Sequence, residues 1–126
     1  MAGHDGTITV SKTQAVACED QVKPGQIPFV GLADRKGNIL KKIEMPFYCN
    51  HYHANNDNTM LVGDAVEDLE LIDISGEKPI LTTLCYHGTS WDGGFTHPHP
   101  TYSWNADQIL YTSDKDGLCN LYIVRP

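Results

Sequence analysis

A chain of 126 residues has room for one domain with a modest core. Its 40% hydrophobic content is a little low for a compact protein, yet far from a disordered composition. Sixteen acidic against nine basic side chains give a formal net charge of −7, which argues against nucleic acid or an anionic membrane as main partner and leaves room for a small anion in a locally favourable cleft. No apolar run approaches the ~20 residues of a membrane span, and "MAGHDGTITV" lacks the basic and apolar regions of a signal peptide. Cys18, Cys49, Cys85 and Cys119 form no Cys-x-x-Cys pair. Reduced, partly buried thiols in a cytoplasmic protein are therefore expected.

In chain order, the runs "DGTITV" (5–10), "QAVACE" (14–19), "PFVGLAD" (28–34) and "NILKKIEM" (38–45) are rich in strand formers and bounded by turn residues. So are "TMLVGDA" (59–65), "LELIDIS" (69–75), "PILTTLCY" (79–86), "QILYTSD" (108–114) and "LCNLYIV" (118–124). "DRKGN", "SGEK" and "DKDG" suit hairpin connections. No stretch sustains a helical period.

These runs repeat. Units start at Gln14, Thr59 and Gln108, each followed by a second strand, and in the first two by a hairpin and a third. His4, His51 and His97 precede them, 47 and 46 residues apart. A period near ~45 residues with about four strands is that of a β-propeller blade. The expected fold is all-β: a β-propeller segment of about three four-stranded antiparallel blades in an incomplete ring, one segment with approximate units 1–46, 47–92 and 93–126. Propellers close with ~4–8 blades, so such a segment is expected to belong to a larger propeller or to self-associate through its open blade edges.

The innermost strand of a blade runs nearest the axis, so "HPHPTY" should begin beside it, with "NHYH" in the same place one blade earlier. Imidazoles suit divalent ions. A lone histidine is more often a satisfied polar residue, but His-x-His pairs in one register of a repeat favour a shared ion. His4 and His87, as isolated residues, are expected to be structural or superficial. Asp57, Asp64, Asp73, Asp107, Asp114 and Asp116 lie near turns, where backbone hydrogen bonding is their ordinary role. Trp91 and Trp104 suit packing between blades better than stacking on a sugar. Phosphate loops, nucleophile elbows and zinc-protease helices are absent from the sequence. "HYHANND" also resembles part of a cupin motif, although no downstream cupin half follows.

"HGTSW" (87–91), "THPHPTYS" (96–103) and "ILYTSDKDG" (109–117) resemble the C-terminal part of the oligogalacturonate lyases, and "HYHANNDNTMLVGDA" (51–65) resembles the blade before it. The likeness covers most of the chain. It implies the last three blades of a seven-bladed propeller, binding manganese or another divalent metal through three histidines and a glutamine. His97 and His99 match the His-Pro-His pair, and His51 matches the third histidine. Gly94 stands where the family has its glutamine. A further histidine one blade earlier is the family's base; His4 falls at a suitable distance, though "GHDGT" departs from the pattern, and the family's substrate-binding arginine would lie before Met1. The resemblance implies an oligogalacturonide substrate and cleavage by β-elimination. The alternative is a propeller fragment or interaction module without turnover.

Overall fold

The computed structural model describes residues 8–11, 25, 27–93 and 95–126. The described residues form ten strands: β1 (Ile8–Ser11), β2 (Phe29–Ala33), β3 (Ile39–Glu44), β4 (Tyr52–Ala54), β5 (Met60–Asp64), β6 (Asp68–Asp73), β7 (Ile80–Tyr86), β8 (Thr101–Tyr102), β9 (Ile109–Ser113) and β10 (Asn120–Val124). Three separate antiparallel sheets result, in the orders β1-β2-β3, β4-β5-β6-β7 and β10-β9-β8. There is no helix among the described residues, and none that could cross a membrane. No closed barrel forms there either, which removes the cupin reading.

The middle sheet shows why these sequences choose strands. Leu61 pairs with Ile72 and Val62 with Leu71 across β5 and β6. Alternation along each strand sends neighbours to opposite faces. Leu61 and Ile72 therefore join Val30, Ile43, Met45 and Tyr52 on the side of the first sheet. Val62 and Leu69 join Tyr102, Ile109 and Tyr111 on the side of the last. Both faces are covered, so β5 and β6 read as nearly continuous apolar runs. Leu61, Val62, Leu69 and Ile72 are fully buried, each worth roughly 1.5–3 kcal/mol. Outer strands are wetter: Ile80 on β7 and Ile39 on β3 stay largely exposed.

Gly63 fixes how closely β4 approaches β5. A Cβ there would sit 2.9 Å from Cys49 Sγ and 3.0 Å from Tyr52 Cε1, so only glycine lets the segment entering β4 lie against the middle of the sheet.

Several expectations need correction. The repeat placed "QAVACE" beside "PFVGLAD", but β1 (8–11) holds that position, pairing Ile8 with Ala33 and Ser11 with Val30. Residues 14–19 themselves lie outside the described residues. The innermost strand beginning at "HPHPTY" shrinks to Thr101–Tyr102, because Pro98 and Pro100 have no N–H to give a ladder. Trp104 is largely exposed rather than packed between sheets. Among the cysteines, Cys49 is buried, Cys85 half-buried and Cys119 exposed, all as free thiols; burial also pushes the Cys49 thiol well above its ordinary range.

Five of the six aspartates bond locally or stitch a loop. Asp57 accepts from Thr59 N at 3.0 Å, Asp73 from Ser75 N at 2.9 Å and Asp107 from Ser103 Oγ at 2.7 Å. Asp114 accepts from Ser90 N at 2.8 Å and Asp116 from Tyr122 Oη at 2.5 Å. Asp64 does something different.

Candidate metal centre

Two non-strand segments, one entering β4 and one entering β8, meet at the mouths of the middle and last sheets. The first carries His51. Its backbone is tied to the end of β5 by Asn50 N to Asp64 O at 3.0 Å and Asp64 N to His51 O at 3.3 Å. The second carries His97 and His99, with Pro98 and Pro100 on either side of His99 and both fully buried. Thr112 N donates to Pro98 O at 2.9 Å, and His99 takes a left-handed φ of 44°, a conformation uncommon outside glycine but one that histidine, asparagine and aspartate enter more readily than other residues.

The three imidazoles converge. His51 and His99 ring centroids lie 3.7 Å apart, His51 and His97 5.7 Å, and His97 and His99 5.9 Å. One nitrogen from each lies within 4.8 Å of the other two. Bonds of ~2.0–2.3 Å to a common ion would need only modest side-chain rotation from there. Loss of water on its inner side lowers the pKa of His99, and the neighbouring His51 and His97 add to this against the opposing charge of Asp64. Neutral imidazole is the form that binds metal, so the donor set fits a divalent ion.

Asp64, the last residue of β5, lies beneath this cluster and is fully buried. Its Oδ1 accepts from His51 N at 2.5 Å, and its Oδ2 sits 2.8 Å from His51 Nδ1 and 3.3 Å from His99 N. The turn role expected for Asp64 is thus overturned. The available signal was an acidic residue ending the apolar run "TMLVG": a carboxylate there is carried inside and must find donors.

Histidines outside the cluster have other partners. His53, two residues beyond His51, faces the same neighbouring segment but meets Tyr102, whose N–H it accepts at Nδ1 at 3.1 Å. Burial lowers its pKa. His87 is fully buried, accepting from Thr89 N at Nδ1 and contacting Ala65 O through Nε2 at 2.9 Å. Trp91 went unrecognised as a neighbour of the site. Its indole N–H donates to Val66 O at 2.8 Å, and its ring meets His97 edge-on at 5.1 Å. That pose needs a φ of 58°, which no sequence pattern announces. His4 and Gly94 lie outside the described residues.

No protein-family model matches the chain. Among curated relatives, an oligogalacturonide lyase of Pectobacterium atrosepticum is 34% identical over 116 residues, covering 76% of this chain. Over those residues the chain is similar to the oligogalacturonate lyases. It spans 28% of the length of that relative. A solved oligogalacturonate lyase in complex with manganese superposes with a TM-score of 0.68 at 28% identity, covering 82% of this chain and 30% of that one. The oligogalacturonate lyase of Vibrio parahaemolyticus gives the same TM-score at 23% identity, over 96% of this chain and 36% of that one. These neighbours are propellers, and the three sheets here are propeller blades in an open ring.

Proposed function

We propose that this chain belongs to the oligogalacturonate lyase family and contributes the metal-binding blades of a lyase, holding a divalent ion, manganese by preference, on His51, His97 and His99. The supporting observation is the convergence of three imidazole nitrogens within 4.8 Å in a chain 34% identical to an oligogalacturonide lyase. The substrate class is unsaturated digalacturonate and short oligogalacturonides from pectin, and the reaction is β-elimination. The setting is cytoplasmic.

In this reaction a base takes the proton at C5, the C–H electrons form the C4–C5 double bond, and the C4–O bond breaks with the leaving sugar. A bound divalent ion would supply positive charge beside the C5 carboxylate, where negative charge develops. His51, His97 and His99 supply the neutral donors that hold it, and the Trp91 ring limits how far His97 can swing. His4 is proposed as the base, because an imidazole with an ordinary pKa near ~6.5 can accept a proton near neutral pH. Gly94 offers no side-chain donor where the family has its glutamine, and water can complete the shell.

Orientation supplies ~7–11 kcal/mol in well-organised sites, and the 126 residues assayed by themselves should turn over slowly or not detectably. Gly94 in place of the family's glutamine also favours a second reading, a metal-binding blade segment without turnover. Formation of the unsaturated product, followed by absorbance with manganese and with chelator, separates the two. Slow, chelator-sensitive turnover lost in His97→Ala supports the lyase. Turnover indifferent to chelator and to His97→Ala would overturn the metal reading.

Units 1–46, 47–92 and 93–126 and self-association through open edges belong to the same proposal. Leu121 and Ile123 on β10 are more than half exposed. Sedimentation should show concentration-dependent association that Ile123→Lys weakens; a monomer at all concentrations would count against it.

A further inference from the structure

We propose that Asp64 is the positioning residue of this centre: one buried carboxylate sets the tautomer of His51 and fixes the main chain of His99, coupling ligands contributed by two different blades. The inference rests on the metal reading above and deepens it.

Three observations carry it. Asp64 is fully buried, whereas a carboxylate that only closes a turn has no reason to leave water. Its hydrogen bonds reach partners 13 and 35 residues away in sequence, while those of Asp57 and Asp73 reach two. Both long-range partners are metal-ligand candidates, and both oxygens are used: Oδ1 on His51 N, Oδ2 on His51 Nδ1 and His99 N.

The chemistry follows from what a carboxylate can do. Ionised, it only accepts, so His51 Nδ1 must carry the proton and donate it. That leaves His51 Nε2 as the one ring nitrogen with a free lone pair. A carboxylate behind a ligating imidazole orients the ring and raises its basicity. The same Oδ2 faces the His99 N–H, which helps hold a backbone with φ of 44°. Blade register and imidazole tautomer are therefore set by one group.

Asp64→Asn breaks this arrangement while nearly preserving its shape. The amide has one acceptor oxygen and one donor nitrogen. With the oxygen kept on His51 N, the amide N–H₂ points at His51 Nδ1, which must then accept. The ring proton moves to Nε2, the nitrogen required for the ion. His97 packs against Trp91 instead and serves as an internal reference.

The test uses the 126-residue chain. Long-range ¹H–¹⁵N spectra of the chelator-treated protein, taken well above the ordinary imidazole pKa of ~6.5, should show His51 as the Nδ1–H tautomer. In Asp64→Asn it should become Nε2–H, with His97 unchanged. Manganese affinity by calorimetry should fall ~10–100-fold in Asp64→Asn, with the thermal transition in chelator retained. Wild-type His51 found as Nε2–H overturns the inference, and this needs no variant to fold. Unchanged affinity and tautomer in Asp64→Asn also overturn it while leaving the metal reading intact. If the wild type binds no manganese, the metal reading fails, and the His51 tautomer still decides whether Asp64 controls that ring.

Discussion

Residues 50–53 and 97–100 occupy the same place in consecutive blades, each leading into an innermost strand, yet they hold their histidines by different means. The first is short and regular: β4 begins one residue after His51, and His51 is set by hydrogen bonds to Asp64. The second is irregular and stiffened covalently, with Pro98 and Pro100 buried on either side of His99. Because β4 is a true strand, His51 and His53 face the same neighbour and are spread along it, so only one reaches the cluster while the other meets Tyr102. Because 97–100 is not a strand, both of its histidines turn to one point. A repeat can thus supply unequal numbers of ligands from equivalent positions, according to whether the backbone is held by a ladder or by prolines.

Removing a ligand should have the largest effect and should not depend on which segment provides it. At a manganese concentration 100 times the dissociation constant, the wild type should gain ~2.7 kcal/mol of stability. His97→Ala and His51→Ala should each lose most of that gain, measured by denaturant unfolding with and without metal. A variant of either that keeps the full gain would show that its histidine is not a ligand.

Next come changes to the two supports. Gly63→Ala presses a methyl group against Cys49 and Tyr52 and should cost ~1–3 kcal/mol as an overpacked site does, with a further loss of metal affinity because the chain entering β4 is displaced. Pro98→Ala empties part of a fully buried position and frees the unfolded chain. Two lost methylenes at ~0.8 kcal/mol each and ~0.4–1 kcal/mol of backbone entropy together give about 2 kcal/mol. If Pro98→Ala leaves both stability and affinity unchanged, the prolines are not what holds the second segment.

The strands long enough to alternate were legible: β5, β9 and β10 fall inside runs read from β-branched and aromatic residues bounded by turns, and β6 starts one residue before its run. The short innermost strands were not, because β4 has three residues and β8 two, below any useful period. "DGTITV" and "QAVACE" are equally strand-like, so periodicity could not decide which pairs with β2. The three histidines could be singled out because His-x-His recurs in register. Asp64 gave a weaker signal, an acidic residue ending the apolar run "TMLVG", which "GDAVED" masks by looking like a turn and whose partners lie 13 and 35 positions away. Trp91 depends on a left-handed backbone that tryptophan rarely signals.

Glu70 offers the finest contrast, a second buried carboxylate in the same sheet, paired in register with Gly63. Unlike Asp64, it accepts from the Thr83 hydroxyl, at 3.0 Å and 3.2 Å from its two oxygens. Burial raises its pKa above the ordinary 4.5, the Thr83 bond opposes this, and Asp68 adds to it. The sign follows: a carboxyl that is protonated more readily when folded favours folding below its unfolded pKa, and that contribution disappears as pH rises through the folded value. Glu70→Gln should therefore be less stable than, or equal to, the wild type near pH ~4 and should gain relative to it towards neutrality. The difference should stay under ~1 kcal/mol, the net worth of one hydrogen bond. Manganese affinity should not change, because no metal-ligand candidate bonds to Glu70. Unfolding curves from acid to neutral pH check the first part and calorimetry the second. A Glu70→Gln variant that loses metal affinity as Asp64→Asn does would show that any buried carboxylate in this sheet serves the site, and the distinction between the two would fail.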